Sequence, residues 1–181
     1  PPFLLTPNQM RIVILGNSGS GKSTLARWLA ATSGAALLDL DTVAWQPGKI
    51  AVPQAPDVAA AQVRDFCAVN AKWVVEGCYA ALVAATFAQS PRLVFLNPGE
   101  ARCVANCLAR PWEPHKYRSK QEQDERLDFL LSWVRQYYSR SGDMSLGGHR
   151  ACFDAYDGPK IELSEQATLD PPDRELLGWL G

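Results

Sequence analysis

Gly16-Asn17-Ser18-Gly19-Ser20-Gly21-Lys22-Ser23, followed by Thr24, satisfies the pattern G-x-x-x-x-G-K-[S/T] in full. Its reading decides the fold, because the pattern carries chemistry only where it follows a strand and opens a helix. Both conditions hold. Arg11 to Leu15 (RIVIL) is a short, β-branched apolar run of the kind buried on both faces of a parallel sheet. From Lys22 onward Leu25, Trp28, Leu29 and Thr32 recur at helical spacing, and Gly34 supplies the stop. In that setting the glycines let the chain curl until successive backbone N–H groups point inward at a phosphate. The helix that follows adds the partial positive charge of its N-terminus. Residues 16–24 are therefore expected to grip a nucleoside triphosphate, with Lys22 reaching the outer phosphates and the Ser23 hydroxyl on Mg²⁺.

Outward from the loop, the same alternation continues. Strands are expected at 37–40 (LLDL), 73–76 (WVVE), 93–96 (LVFL) and 161–163, and helices at 57–70, 99–110 and 173–180. Pro47, Pro53 and Pro56 bracket a loop, and Pro111 cuts the helix before it. Ser119 with Glu122 is a capping box that opens a helix carrying Leu127, Leu130, Leu131, Val134 and Tyr138 on one face. Strands alternating with helices predict an α/β fold, a parallel sheet covered on both sides. One domain spans 10–181, with 1–9 (PPFLLTPNQ) a short N-terminal extension to which no function is attached.

Bulk properties narrow the partners. The chain has 181 residues, 47% of them hydrophobic and 20% charged, the profile of a globular domain with a real core. A net charge of −1 gives no electrostatic footprint for nucleic acid or an anionic membrane. No stretch reaches the length of a membrane span. Cys67, Cys78, Cys103, Cys107 and Cys152 are odd in number and lack a framework spacing, which predicts reduced thiols in a cytoplasmic protein. Cys103 and Cys107, four apart, could offer zinc two ligands with His115, but no second pair follows and core packing is the better reading.

Among proteins with this loop, switch GTPases need D-x-x-G and N-K-x-D segments, and neither occurs, so ATP is favoured. Transporter ATPases carry LSGGQ-like signatures that Ser145-Leu146-Gly147-Gly148 only imitates. A small kinase needs an acceptor segment after the second strand and an arginine-bearing lid. Asp39 and Asp41 (LLDLD) close the second strand, where carboxylates lie near the phosphates. Glu76, ending WVVE, is placed to hold the magnesium shell through water, with Asp39 a weaker metal candidate. Arg102, Asn106 and Arg110 recur every four residues and lead into a lid at about 110–119 that adds His115, Lys116 and Arg118.

MRIVILGNSGSGKSTLARWLA, LLDLDTVAW, WVVEGCY and Leu93–Leu96 with Arg102–Arg110 together resemble the adenylate-kinase and shikimate-kinase group of P-loop kinases. They are most similar to adenylate-kinase-related proteins labelled DNA topology modulation proteins. The resemblance covers roughly residues 10–140. It implies a three-layer P-loop fold with a five-stranded parallel sheet, a mobile lid and a mobile acceptor segment at about 42–72. It also implies lid arginines that neutralise the moving phosphoryl group, here Arg110 first, then Arg102 or Arg118. Two departures are a glutamate, Glu76, where aspartate is usual, and a short lid.

The acceptor segment is poor in cations. Between Thr42 and Cys78 only Lys49, Arg64 and Lys72 occur, while Trp45, Trp73 and Tyr79 supply aromatic surface. That favours a hydroxyl-bearing small molecule, with Asp41 as general base, Lys22 and Arg110 stabilising charge, and Trp45, Glu76 and Tyr79 also in the substrate site. The alternatives are a nucleoside monophosphate kinase, an ATP-binding regulatory module without transfer, and, against the charge, a DNA-associated protein. His149 is as suited to packing as to binding, and the block 137–157 is a candidate cover for the nucleotide base.

Overall fold

β1 (Arg11–Gly16) is buried along nearly its whole length, and its side chains divide by parity. Ile12 and Ile14 join one core, Val13 and Leu15 another. β3 (Trp73–Gly77) and β4 (Arg92–Leu96) divide in the same way, with Val74, Val94 and Leu96 on the first side and Trp73, Val75, Leu93 and Phe95 on the second. Such strands have no solvent face, which is why RIVIL, WVVE and LVFL are continuous apolar runs. Each fully buried aliphatic side chain contributes about 1.5–3 kcal/mol of transfer free energy. The computed structural model describes residues 10–114, 117–169 and 172–180. The expectations for the extension 1–9 and for His115 and Lys116 lie outside the described residues.

β2 (Ala36–Asp39) and β5 (Lys160–Leu163) complete a five-stranded sheet of order β2-β3-β1-β4-β5, every pair parallel. The chain leaves β1 for the far edge, returns to β3, and crosses to the opposite side as β4. The carboxyl ends of β1 and β3 therefore lie where the winding reverses, the place α/β sheets take ligands. α1 (Lys22–Ser33) and α9 (Arg174–Leu180) supply Leu25, Leu29, Leu176 and Leu180 to one face. α3 (Pro56–Val69), α4 (Ala80–Ala84) and α8 (Leu146–Ala155) cover the other with Ala59, Val63, Leu82, Val83, Leu146 and Phe153. A third cluster joins Cys103 and Cys107 of α5 (Glu100–Leu108) to Leu131 and Val134 of α7 (Leu127–Gln136).

Several local expectations are corrected. The second strand ends at Asp39 and not at residue 40, because Leu40 takes helical dihedrals (φ −64°, ψ −19°) and leads into a one-turn helix, α2 (Asp41–Ala44). Asp39 Oδ1 accepts the Asp41 N–H at 2.9 Å, the aspartate-turn contact that competes with a strand ladder. The helix after the capping box is two, α6 (Lys120–Glu125) and α7, interrupted at Arg126 (φ −90°, ψ −4°). In the box itself Ser119 Oγ accepts the Glu122 N–H at 3.1 Å, but Glu122 returns to the N–H of Arg118 rather than Ser119. α8 overturns the reading of 137–157 as a cover for the base. Its two glycines conceal it in sequence, and Leu146, Cys152 and Phe153 dock it into the core beneath the sheet.

Candidate active site

The loop between β1 and α1 borders a cleft on one side and is pinned from behind. The α1 N-terminus has no capping side chain and no acidic residue in its first turn, so its leading N–H groups remain for an anion. Gly21 (φ +92°) and Gly19 (φ +79°) take left-handed conformations that admit glycine without strain. A Cβ on Gly19 would stand 2.3 Å from the Cys103 carbonyl oxygen and 2.8 Å from the Cys107 sulfur, so α5 packs directly on the loop. Asn106 Nδ2 donates to the Gly19 carbonyl at 2.8 Å, and Asn17 Nδ2 donates to the Val134 carbonyl at 3.1 Å. α5 and α7 are thus both bolted to the loop.

Lys22 is largely buried, and its ammonium donates to the Asn17 carbonyl at 3.0 Å, which leaves two of its three N–H donors for phosphate oxygens. The Ser20 hydroxyl is buried in the loop and has no protein partner among the described residues. Ser23 Oγ donates to Glu76 Oε1 at 2.8 Å. Glu76 is 4% exposed, and Asp39 faces it in register from the neighbouring strand. Burial pushes the Glu76 carboxyl up from its ordinary range; Lys22 opposes that shift, and repulsion from Asp39 reinforces it. One hydroxyl and two carboxylates around a phosphate cradle are hard oxygen donors suited to Mg²⁺, an ion that keeps several waters and binds through few protein ligands.

A cleft of about 580 Å³ runs from Gly19–Thr24 past Asp39 and Glu76 to Arg110, Trp112 and Pro114. Its far wall is Gln166, Ala167 and Leu169, beyond β5. Arg110 lines the cleft, with Nη1 3.9 Å from Glu113 Oε2. Arg102 is exposed and outside it, and Arg118 is outside it as well. The four-residue spacing misleads because α5 ends at Leu108: Arg102 stands exposed in its first turn, whereas Arg110 lies beyond its C-terminus, where the chain borders the cleft. Trp112 and the 166–169 wall were missed in the sequence. Trp112 had one signal, an indole in a proline-bracketed loop; the wall had none, being joined to the loop only through sheet order.

Asp41, Trp45 and Tyr79 lie together but do not line that cleft. Tyr79 Oη donates to Asp41 Oδ1 at 2.7 Å and accepts from Trp45 Nε1 at 3.0 Å. Asp41 still acts on Glu76 and Cys78 through its charge, which sets it on the same side of the sheet ends. His149 is fully buried. Its Nε2 meets the Cys78 carbonyl at 2.7 Å, and a carbonyl only accepts, so Nε2 carries the proton and Nδ1 accepts from Tyr137 at 2.9 Å. Burial holds its pKa down at about 4, keeping it neutral. Its place is in the structure beneath the site and not in the cleft.

All five cysteines are free. No helix among the described residues is long and apolar enough to cross a membrane, and they contain no group of three His, Cys, Asp or Glu side chains close enough to hold a metal alone.

No family model matches the sequence, and no curated protein matches it. Solved structures do match it. A gluconokinase from Sinorhizobium meliloti 1021 aligns over 94% of this chain and 90% of its own, with a TM-score of 0.55 at 18% identity. A shikimate kinase from Bacteroides thetaiotaomicron aligns over 94% and 93%, with a TM-score of 0.50 at 17% identity. The chain therefore has the three-layer α/β fold of P-loop kinases. At these identities the likeness is one of architecture, and the chemistry must be argued from the residues.

Proposed function

We propose that this chain is an ATP-dependent phosphotransferase that moves the γ-phosphoryl group of Mg²⁺-ATP to a hydroxyl of a small molecule. The observation that carries the reading is one arrangement: the loop N–H groups, Lys22 and the Ser23–Glu76 pair at one end of the cleft, and Arg110 on its lid side. The triphosphate lies on the loop, and Ser23 with Glu76, through water, and Asp39 hold the magnesium, which neutralises phosphate charge when bound. Lys22 and Arg110 stabilise charge on the transferring group, and the base sits between the lid residues and the 166–169 wall. Asp41 accepts the proton of the acceptor hydroxyl.

A hydroxyl acceptor is favoured over a nucleoside monophosphate by the placement of cations. Lys72 precedes β3, at the end of the sheet away from the loop, and Lys49 is tied to Gln46 at 2.8 Å on the surface. The names of the two aligned kinases support trying sugar acids and cyclic polyols first. The finer resemblance, to adenylate-kinase-related proteins labelled DNA topology modulation proteins, is retained for the kinase core alone, since a net charge of −1 argues against duplex binding. Five free cysteines support a reducing, cytoplasmic setting.

The test is calorimetry with Mg²⁺-ATP followed by ATP consumption against sugar acids, polyols and nucleoside monophosphates. Wild type binds ATP, Lys22→Ala loses most of that affinity, and at least one hydroxyl acceptor is phosphorylated. An intact protein that ignores ATP, or a Lys22→Ala variant that binds it equally well, overturns the reading.

A further inference from the structure

Asp41 begins a helix of one turn and is solvent-exposed, a poor setting for a base that must meet a hydroxyl at hydrogen-bond distance. Tyr79 stands on firmer ground. It lies two residues past the end of β3, leads into α4, is 9% exposed, and packs in the core formed by Val13, Leu15 and Val75. Its hydroxyl reaches out of that core to Asp41 Oδ1 at 2.7 Å. Trp45, which closes the turn that Asp41 opens and pairs with Pro53 across an isolated bridge, donates its indole N–H to the same hydroxyl at 3.0 Å.

The direction of this chain is forced. An indole N–H only donates, so the phenol accepts from Trp45, and its single proton must go to the carboxylate, which only accepts. We propose that Tyr79, oriented by Trp45, is the positioning residue for Asp41: it occupies Oδ1, fixes the carboxylate plane to the sheet core, and leaves Oδ2 to meet the acceptor hydroxyl. This rests on the reading of Asp41 as the base. It adds to the sequence expectation that Trp45 and Tyr79 belong to the substrate site, with their polar atoms engaged on each other and on Asp41. Burial and the neighbouring carboxylate raise the Tyr79 pKa, so the phenol keeps the proton it donates. Trp45 also belongs to the acceptor segment, so a shift of that segment would be felt at the carboxylate through two hydrogen bonds.

The test compares Tyr79→Phe, Trp45→Phe, the double variant and Asp41→Asn in the full chain, using the acceptor that wild type phosphorylates best among D-gluconate, shikimate and a set of polyols. Tyr79→Phe keeps the ring and is expected to lower kcat roughly 10–100-fold, with acceptor KM and ATP affinity within about threefold of wild type. Trp45→Phe lowers kcat less, and the double variant is no worse than Tyr79→Phe because the two act in series. The Trp45 indole N–H resonance shifts in Tyr79→Phe and in Asp41→Asn, a readout independent of turnover. A Tyr79→Phe enzyme with unchanged kcat, or one whose loss lies wholly in acceptor KM, overturns the positioning role and leaves the functional reading standing. Normal transfer by Asp41→Asn, or no transfer by wild type to any probe, overturns that reading and this proposal with it.

Discussion

Asn106 and Gly19 are joined by a 2.8 Å hydrogen bond from the side-chain amide to the backbone carbonyl, across 87 positions of sequence. The donor belongs to α5, and the acceptor to the glycine-rich loop between β1 and α1. Losing one such bond costs about 1 kcal/mol, or roughly fivefold in affinity. Asn106→Ala should lower the melting temperature of the nucleotide-free protein by about 2–4 °C and weaken Mg²⁺-ATP binding by up to that factor in calorimetry.

Two glycines of the same loop should respond in opposite ways to a methyl group. Gly19→Ala drives a Cβ into Cys103 and Cys107 and should cost about 3 kcal/mol or more of stability, read by urea unfolding. A Cβ on Gly21 meets nothing within 4 Å. Gly21→Ala should lose only about 1–2 kcal/mol for its left-handed dihedrals. It should fold, yet bind ATP poorly, because the methyl stands at the cleft.

Arg110, Arg102 and Arg118 separate by position. Arg110→Ala should lower phosphoryl transfer by roughly 100-fold or more, the scale of a lost donor to transition-state charge. Arg102→Ala and Arg118→Ala should stay within about twofold of wild type, since exposed arginines outside the cleft contribute little. Steady-state rates for the three variants decide it.

Glu76 carries a buried charge that costs stability. Its raised pKa means the folded state holds the proton more tightly than the unfolded one, so its charge destabilises the fold at neutral pH and that cost fades as pH falls. Glu76→Gln should raise the melting temperature of the nucleotide-free protein at pH 7.5, a gain that shrinks as the pH is lowered. Its transfer rate should fall, and the Mg²⁺ needed for half-activity should rise.

His149 works with the opposite sign. Folded, it stays neutral down to about pH 4; unfolded, it takes up a proton near its ordinary 6.5. Stability is therefore complete above pH 6.5 and declines as pH falls toward 4, by roughly 3 kcal/mol in all. His149→Phe should be less stable at pH 7.5 yet lose less between pH 7.5 and 4.5 than wild type, measured by urea unfolding at the two values.

The amino-acid sequence by itself determined the loop, the strands that hold it and the class of fold. These rest on short-range physics: left-handed glycines, an uncapped helix start, and strands apolar on both faces, each written in consecutive residues. Glu76 was legible for the same reason, because a carboxylate ending a buried strand is conspicuous. The rest was decided in three dimensions. Nothing in the sequence separates Arg110 from Arg102, since that depends on where α5 ends and how the chain beyond it meets the cleft. Tyr79 and Trp45 carry no sign of whether they face a substrate or each other until Asp41 comes within hydrogen-bond reach. The 166–169 wall and the buried His149 follow from sheet order and docking, long-range contacts whose partners lie dozens of residues apart and leave no local pattern.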